Sequence, residues 1–104
     1  MAALWKQHTG LGFVFAMWMV GDGCEERARV VDFASARDTG LAHIEEIVRS
    51  YQDKIPMRVD ELRNYLTENI VFKVDESMEK GLRLYFELAF KHGLIERVKP
   101  LRFI

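Results

Sequence analysis

The residue types in this chain that suit chemistry are three histidines, one cysteine and a threonine–glycine pair set just before an apolar run. His8, His43 and His92 fall in separate predicted elements with no cysteine or carboxylate at metal-ligand spacing. His43-Ile44-Glu45-Glu46 also lacks the second histidine that a helical zinc motif requires, so no metal site is expected. Gly21-Asp22-Gly23 has neither the third glycine nor the lysine–hydroxyl pair of a phosphate-cradling loop, and no nucleophile elbow is present. His92, beside Gly93, is placed to meet the last carbonyls of a helix, which is a stabilising role. What remains is binding chemistry. Thr9 and Gly10 can present a hydroxyl and a bare backbone N–H to an anion, or simply make a helix-to-strand turn. Phe13, Phe15 and Trp18 can line an apolar pocket, or simply fill a core.

The element that must position these groups is Leu11-Gly12-Phe13-Val14-Phe15-Ala16-Met17-Trp18-Met19-Val20, which has no charged or polar side chain and is bounded by Gly10, Gly21 and Gly23. A short run of this kind reads as a strand, 11–20, buried on both faces as in a helix-covered parallel sheet. Its backbone groups need partners, because an unpaired buried polar group costs about 1–3 kcal/mol. The rest of the chain offers no second strand of that quality, so the sequence reads as a single partial domain over 1–104 that belongs to something larger. The run is too short to cross a bilayer as a helix, which takes about 20 residues. A signal peptide is the competing reading, but no small-x-small cleavage site follows Val20. The lone Cys24 forms no internal disulfide and points to a reducing compartment, so the expected location is cytoplasmic.

Around that run the chain reads as mostly helical. Ala2 to Gln7 predicts a helix ending near Gly10. Val30, Phe33, Ala34, Leu41, Ile44, Val48 and Tyr51 recur at threes and fours, predicting one amphipathic helix over 24–53. Arg37 and Gly40 fall in its stripe, predicting a soft point or an arginine whose stem lies along the apolar surface while its head reaches a carboxylate or solvent. Asp60 opens a short helix to Asn69, and Asp75 caps a strong helix that runs to His92 and stops at Gly93. Three main helices plus one buried strand are therefore expected. At 49% hydrophobic and 30% charged residues, with a net charge of −1, the composition excludes disorder as the main state.

Trp5, then Thr9-Gly10-Leu11-Gly12-Phe13-Val14-Phe15-Ala16-Met17-Trp18, then Gly40-Leu41-Ala42-His43-Ile44-Glu45-Glu46-Ile47, Tyr65-Leu66-Thr67-Glu68-Asn69-Ile70 and Gly81-Leu82-Arg83-Leu84-Tyr85-Phe86 together resemble the C-terminal part of chorismate dehydratase of the futalosine menaquinone pathway. The resemblance implies an α/β fold of the type II periplasmic-binding-protein kind, in which 11–20 would be a crossing strand. It implies removal of water from chorismate to give 3-enolpyruvyl-benzoate, with no metal or organic cofactor. Thr9, Gly10, Phe13 and Phe15 would be pocket wall. The proton-transfer groups would lie in a missing N-terminal lobe, leaving the isolated chain inactive. Family members usually carry proline where Gly12 stands, which makes this turn looser.

The partners implied are a small anionic substrate, chorismate, bound together with that missing lobe, and a homodimer or strand-swapped oligomer formed through the apolar run. No nucleic acid and no membrane are expected. Two other functions compete: a non-catalytic helical dimerisation module, and a winged-helix-like nucleic-acid-binding domain over 59–104. Against the latter, Glu76, Glu79 and Glu87 share the would-be recognition helix with Lys80, Arg83 and Lys91.

Overall fold

The computed structural model describes residues 1–104, and its regular secondary structure is all helical, with no strand. The helices are α1 (Ala2–Thr9), α2 (Glu25–Arg29), α3 (Phe33–Ala42), α4 (Ile44–Tyr51), α5 (Val59–Asn64) and α6 (Glu76–Lys91), with a π-helical turn over Tyr65–Asn69. They divide into two compact units: Met1–Glu25 with Val74–Ile104, and Glu26–Lys73. No helix is long and apolar enough to cross a membrane.

The α/β expectation, and with it the buried strand 11–20, is overturned. Residues 12–20 adopt no regular secondary structure, and Phe15, Trp18 and Met19 are 74%, 87% and 90% exposed. Apolar composition states that a segment gains by burial, but a strand forms only against another extended backbone, and this chain provides none. With the sheet goes the periplasmic-binding-protein-like architecture, which is built around one.

The first unit is organised by α1 and α6. Asp75 caps α6 by accepting from the Met78 amide at 2.8 Å, and Glu76 and Glu79 in its first turn suit the positive end of the helix dipole. Its far end closes on Gly93 at φ 71°, where the Gly93 and Leu94 amides donate to the Phe90 and Ala89 carbonyls. The segment leaving α1 lies directly on α6. Gly12 backs onto Met78, and a Cβ at Gly81 would overlap the Gly12 carbonyl oxygen, so two glycines permit this close approach. Gly81 and Ala89 are the buried positions of α6.

In the second unit the single helix expected over 24–53 is three. Asp32 accepts from the Ser35 amide at 2.8 Å and starts α3 afresh after the exposed pair Val30 and Val31. An aspartate that competes for backbone donors ends one helix by beginning another. A further break falls at His43, whose amide donates to Gly40 and whose ring Nδ1 lies 2.7 Å from the Thr39 carbonyl oxygen. Arg37 does find a carboxylate, that of Asp38 at 2.9 Å. Val48 on α4 and Leu62 on α5 are the buried centre of this unit. Arg63 and Glu45 tie α5 to α4 through a two-armed ion pair whose longer arm, Nη2 to Oε2, measures 2.9 Å.

Candidate functional site

The site builds outward from the end of α1. Gly10 takes φ 71° as the left-handed cap, and its amide donates to the Lys6 carbonyl at 2.9 Å. Thr9 Oγ1 donates to the Trp5 carbonyl at 2.7 Å and accepts from the Leu11 amide at 3.1 Å, so this hydroxyl bends the chain out of the helix. Lys6 reaches over the same turn and donates from Nζ to the Gly10 carbonyl at 2.8 Å, which places an exposed ammonium group at the turn.

Beyond the turn, Gly12 is held at both polar groups. Its amide donates to Ser77 Oγ at 3.0 Å, and its carbonyl accepts from the Trp5 indole N–H at 3.1 Å. That double anchorage delivers Phe13 into a set of aromatic rings. Its ring centroid lies 5.7 Å from Trp5, 5.8 Å from Tyr85 and 4.9 Å from Phe15, all edge-to-face. Trp5 and Tyr85 meet at 6.1 Å, and Phe86 continues the set 6.0 Å from Tyr85. Edge-to-face pairs of this kind are each worth about 0.5–1.5 kcal/mol beyond their area burial.

Of the four residues named as pocket wall, Phe13 and Phe15 are thus in direct contact, and Thr9 and Gly10 shape the turn that leads to them. The hydroxyl proton of Thr9 and the amide of Gly10 are both spent on α1, which leaves Lys6 as the group at this turn with donors to spare. Sequence reasoning passed over Lys6, Ser77 and Tyr85. The i, i+4 spacing of Gly81 and Tyr85 on the helix that Asp75 opens was the available signal for the last of these.

The remaining candidates are dispersed. His8 is exposed, His43 serves the α3–α4 corner and His92 caps α6. No group of three or more histidine, cysteine, aspartate or glutamate side chains is gathered as a metal site requires. Cys24 is exposed and free. On α6, Lys80 and Arg83 each meet a glutamate one turn earlier, Glu76 and Glu79, at 2.6 Å. Two hollows occur, the first of them bordered by Phe86 at the end of the aromatic set. One of about 90 Å³ lies between α6 and the tail at Val98–Leu101. The other, of about 190 Å³, lies in the second unit between Ile47, Tyr51, Leu62 and Tyr65.

Two surface ion pairs shift the titration of their carboxylates. The hydrogen bond from Arg63 holds the Glu45 carboxyl below its ordinary value, and the one from Arg37 does the same for Asp38.

A family comparison supplies what the geometry alone leaves open. Residues 1–91 match the family model described as menaquinone biosynthesis, which takes in α1, the turn, the aromatic rings and all of α6. The chain belongs to the menaquinone biosynthesis family. No curated protein and no solved structure matches it. Within this family member, the part outside the match is the tail after Lys91, where Arg97, Lys99 and Arg102 give the chain its most basic stretch.

Proposed function

We propose that this menaquinone biosynthesis family member acts in the dehydration of chorismate to 3-enolpyruvyl-benzoate, the reaction that opens the futalosine route. The chain contributes pocket wall, and a further N-terminal segment contributes the proton-transfer groups. In that reaction a ring carbon gives its proton to a base, the ring C–O bond breaks, and the hydroxyl departs as water with a proton from an acid, leaving an aromatic ring. Such a step gains from a site that holds the dianion in place and excludes water while the ring flattens.

The observation that carries the reading is the junction of Thr9-Gly10 with Phe13 and Phe15, inside the family match. Phe13, fixed between Trp5 and Tyr85, and Phe15 beside it offer aromatic edges to a planar ring. Lys6 at the Gly10 turn offers an ammonium group to a carboxylate. Nothing in this arrangement abstracts a proton, so the chain by itself is expected to bind without turnover. Calorimetric titration with chorismate, paired with chromatographic analysis of the same samples, tests this. Saturable binding that weakens on Lys6→Ala, with chorismate recovered intact, is the expected result. Release of 3-enolpyruvyl-benzoate by the chain alone, or no heat of binding, would contradict it.

A further inference from the structure

The larger hollow, in the second unit, has a lining and a neighbouring charge that no step of the dehydration reading uses. Ile47, Tyr51 and Ile55 recur every fourth residue along α4 and the turn that closes it, where the Ile55 amide donates to the Tyr51 carbonyl. Leu62, Tyr65 and Leu66 make the facing stripe on α5 and the π-helical turn. Stripes of this kind ordinarily interdigitate to native density. Here they leave a space of about 190 Å³ between them. Leu62 is buried, while Tyr51 and Tyr65, one from each stripe, are 46% and 45% exposed and so stand at the open side.

Size and chemistry restrict what fills this space. None of the six lining side chains is charged. An apolar cavity of about 150 Å³ already takes up benzene, so there is room for one six-membered ring with a small substituent. Two half-exposed phenol rings favour an aromatic ring, which they meet edge-to-face or offset. Lys54 decides the substituent. Its Nζ lies 5.3 Å from the centroid of the Tyr51 ring and enters none of the chain's ion pairs, whereas the cations at the start and end of α5, Arg58 and Arg63, are held by Glu61 and Glu45. An ammonium group so placed complements a carboxylate on a ring lying against Tyr51.

We infer that the hollow between α4 and α5 binds a small aromatic monocarboxylate of the benzoate type, its ring between the two tyrosines and its carboxylate beside Lys54. The apolar lining offers no partner to a second carboxylate or a ring hydroxyl. Chorismate carries both and is excluded.

Amide chemical shifts of the intact labelled chain during titration with benzoate test this, with benzamide and cyclohexanecarboxylate as comparison ligands. Benzoate is expected to saturate in about the low-millimolar range, as its few atoms allow, and to shift Tyr51, Leu62 and Tyr65 while leaving Thr9 to Phe13 unmoved. Benzamide keeps the ring without the charge and cyclohexanecarboxylate keeps the charge without the aromatic ring, so each is expected to bind at least about fivefold more weakly. Lys54→Gln, on an exposed side chain, is expected to weaken benzoate by about the same factor and to leave benzamide unchanged. Ile47→Phe fills the space and is expected to abolish benzoate binding, with circular dichroism showing the helices retained. A response to benzoate that never saturates, either comparison ligand bound as tightly as benzoate, Lys54→Gln without effect, or shifts centred on Phe13 would each overturn the inference. A chain that binds benzoate in this way and ignores chorismate keeps the inference and loses the dehydration reading, and the reverse result loses the inference alone.

Discussion

The carbonyl oxygen of Gly12 lies where a side chain on Gly81 would have to be, and this close approach joins the segment leaving α1 to the middle of α6. The amide of Gly12 is engaged as well, donating to Ser77 one turn earlier on the same helix. Trp5 completes the arrangement through its indole N–H. Backbone, helix and aromatic rings therefore depend on the same contact.

Gly81→Ala is the most direct disturbance of it. In an exposed helix interior, alanine would gain about 1 kcal/mol over glycine. Here the added methyl meets backbone rather than a flexible side chain, so strain outweighs propensity and the variant is expected to be less stable by about 1–3 kcal/mol. Denaturant unfolding followed by circular dichroism reads the sign. A more stable variant would mean that Gly12 and α6 are not in contact.

Gly12 and Ser77 form a second test, with opposite demands on one amide. Ser77→Ala leaves the Gly12 N–H half-buried and unanswered, for an expected loss of about 1 kcal/mol. Gly12→Pro deletes that N–H and adds ring atoms where Met78 already stands, so it is expected to cost more than Ser77→Ala. The hydroxyl of Ser77 thus stabilises the turn at Gly12. Should the proline variant be the more stable of the two, the Ser77 contact has no part in holding the turn.

Phe13 and Phe15 are expected to separate in their effects. Phe13 touches Trp5, Tyr85 and Phe15, whereas Phe15 is three-quarters exposed and meets Phe13. Phe13→Ala is expected to cost about 2–3 kcal/mol and to flatten the near-ultraviolet dichroism of Trp5. Phe15→Ala leaves stability within about 1 kcal/mol and weakens ligand binding instead. Equal destabilisation by the two variants would refute the assignment of Phe15 to the binding face.

The Glu45–Arg63 pair gives a pH dependence with a definite sign. The arginine holds the folded-state carboxyl below its unfolded value, so the pair contributes stability that is fully present above the ordinary glutamate range and is lost as the pH falls through the lowered folded value. Both side chains are substantially exposed, so the contribution is small and is screened by salt. Glu45→Gln is expected to flatten the acid limb of a stability profile taken at low ionic strength and to leave the neutral region nearly unchanged. An identical acid limb in the variant would remove the pair from the account.

Much of the helical content was legible. Asp75 and Gly93 mark the ends of α6 because each makes a local contact that sequence fixes: a carboxylate accepting a backbone donor, and a residue tolerant of positive φ. The division of 24–53 was legible only in part, since the apolar period continues straight through Asp32 and only the capping chemistry of that residue breaks the backbone there. The strand at 11–20 was misread because β-branched and aromatic composition reports a tendency to be buried, and pairing depends on a partner that composition does not name. In the candidate site, Thr9, Gly10, Phe13 and Phe15 could be selected because they are contiguous. Lys6, Ser77 and Tyr85 join them only through a helix turn and a contact across sixty-five positions, which no local pattern encodes.

In the proposed function the turn at Gly10 and the rings beyond it form one wall of a chorismate site. Amide chemical shifts of the isotopically labelled chain, followed during a titration with chorismate, test it most directly. Saturating shifts are expected, confined to Lys6, Thr9, Gly10, Phe13 and Phe15 with their ring neighbours on α6, and abolished together by Phe15→Ala. Shifts centred on the hollow between Ile47 and Tyr65, or a spectrum unchanged by chorismate, would contradict it.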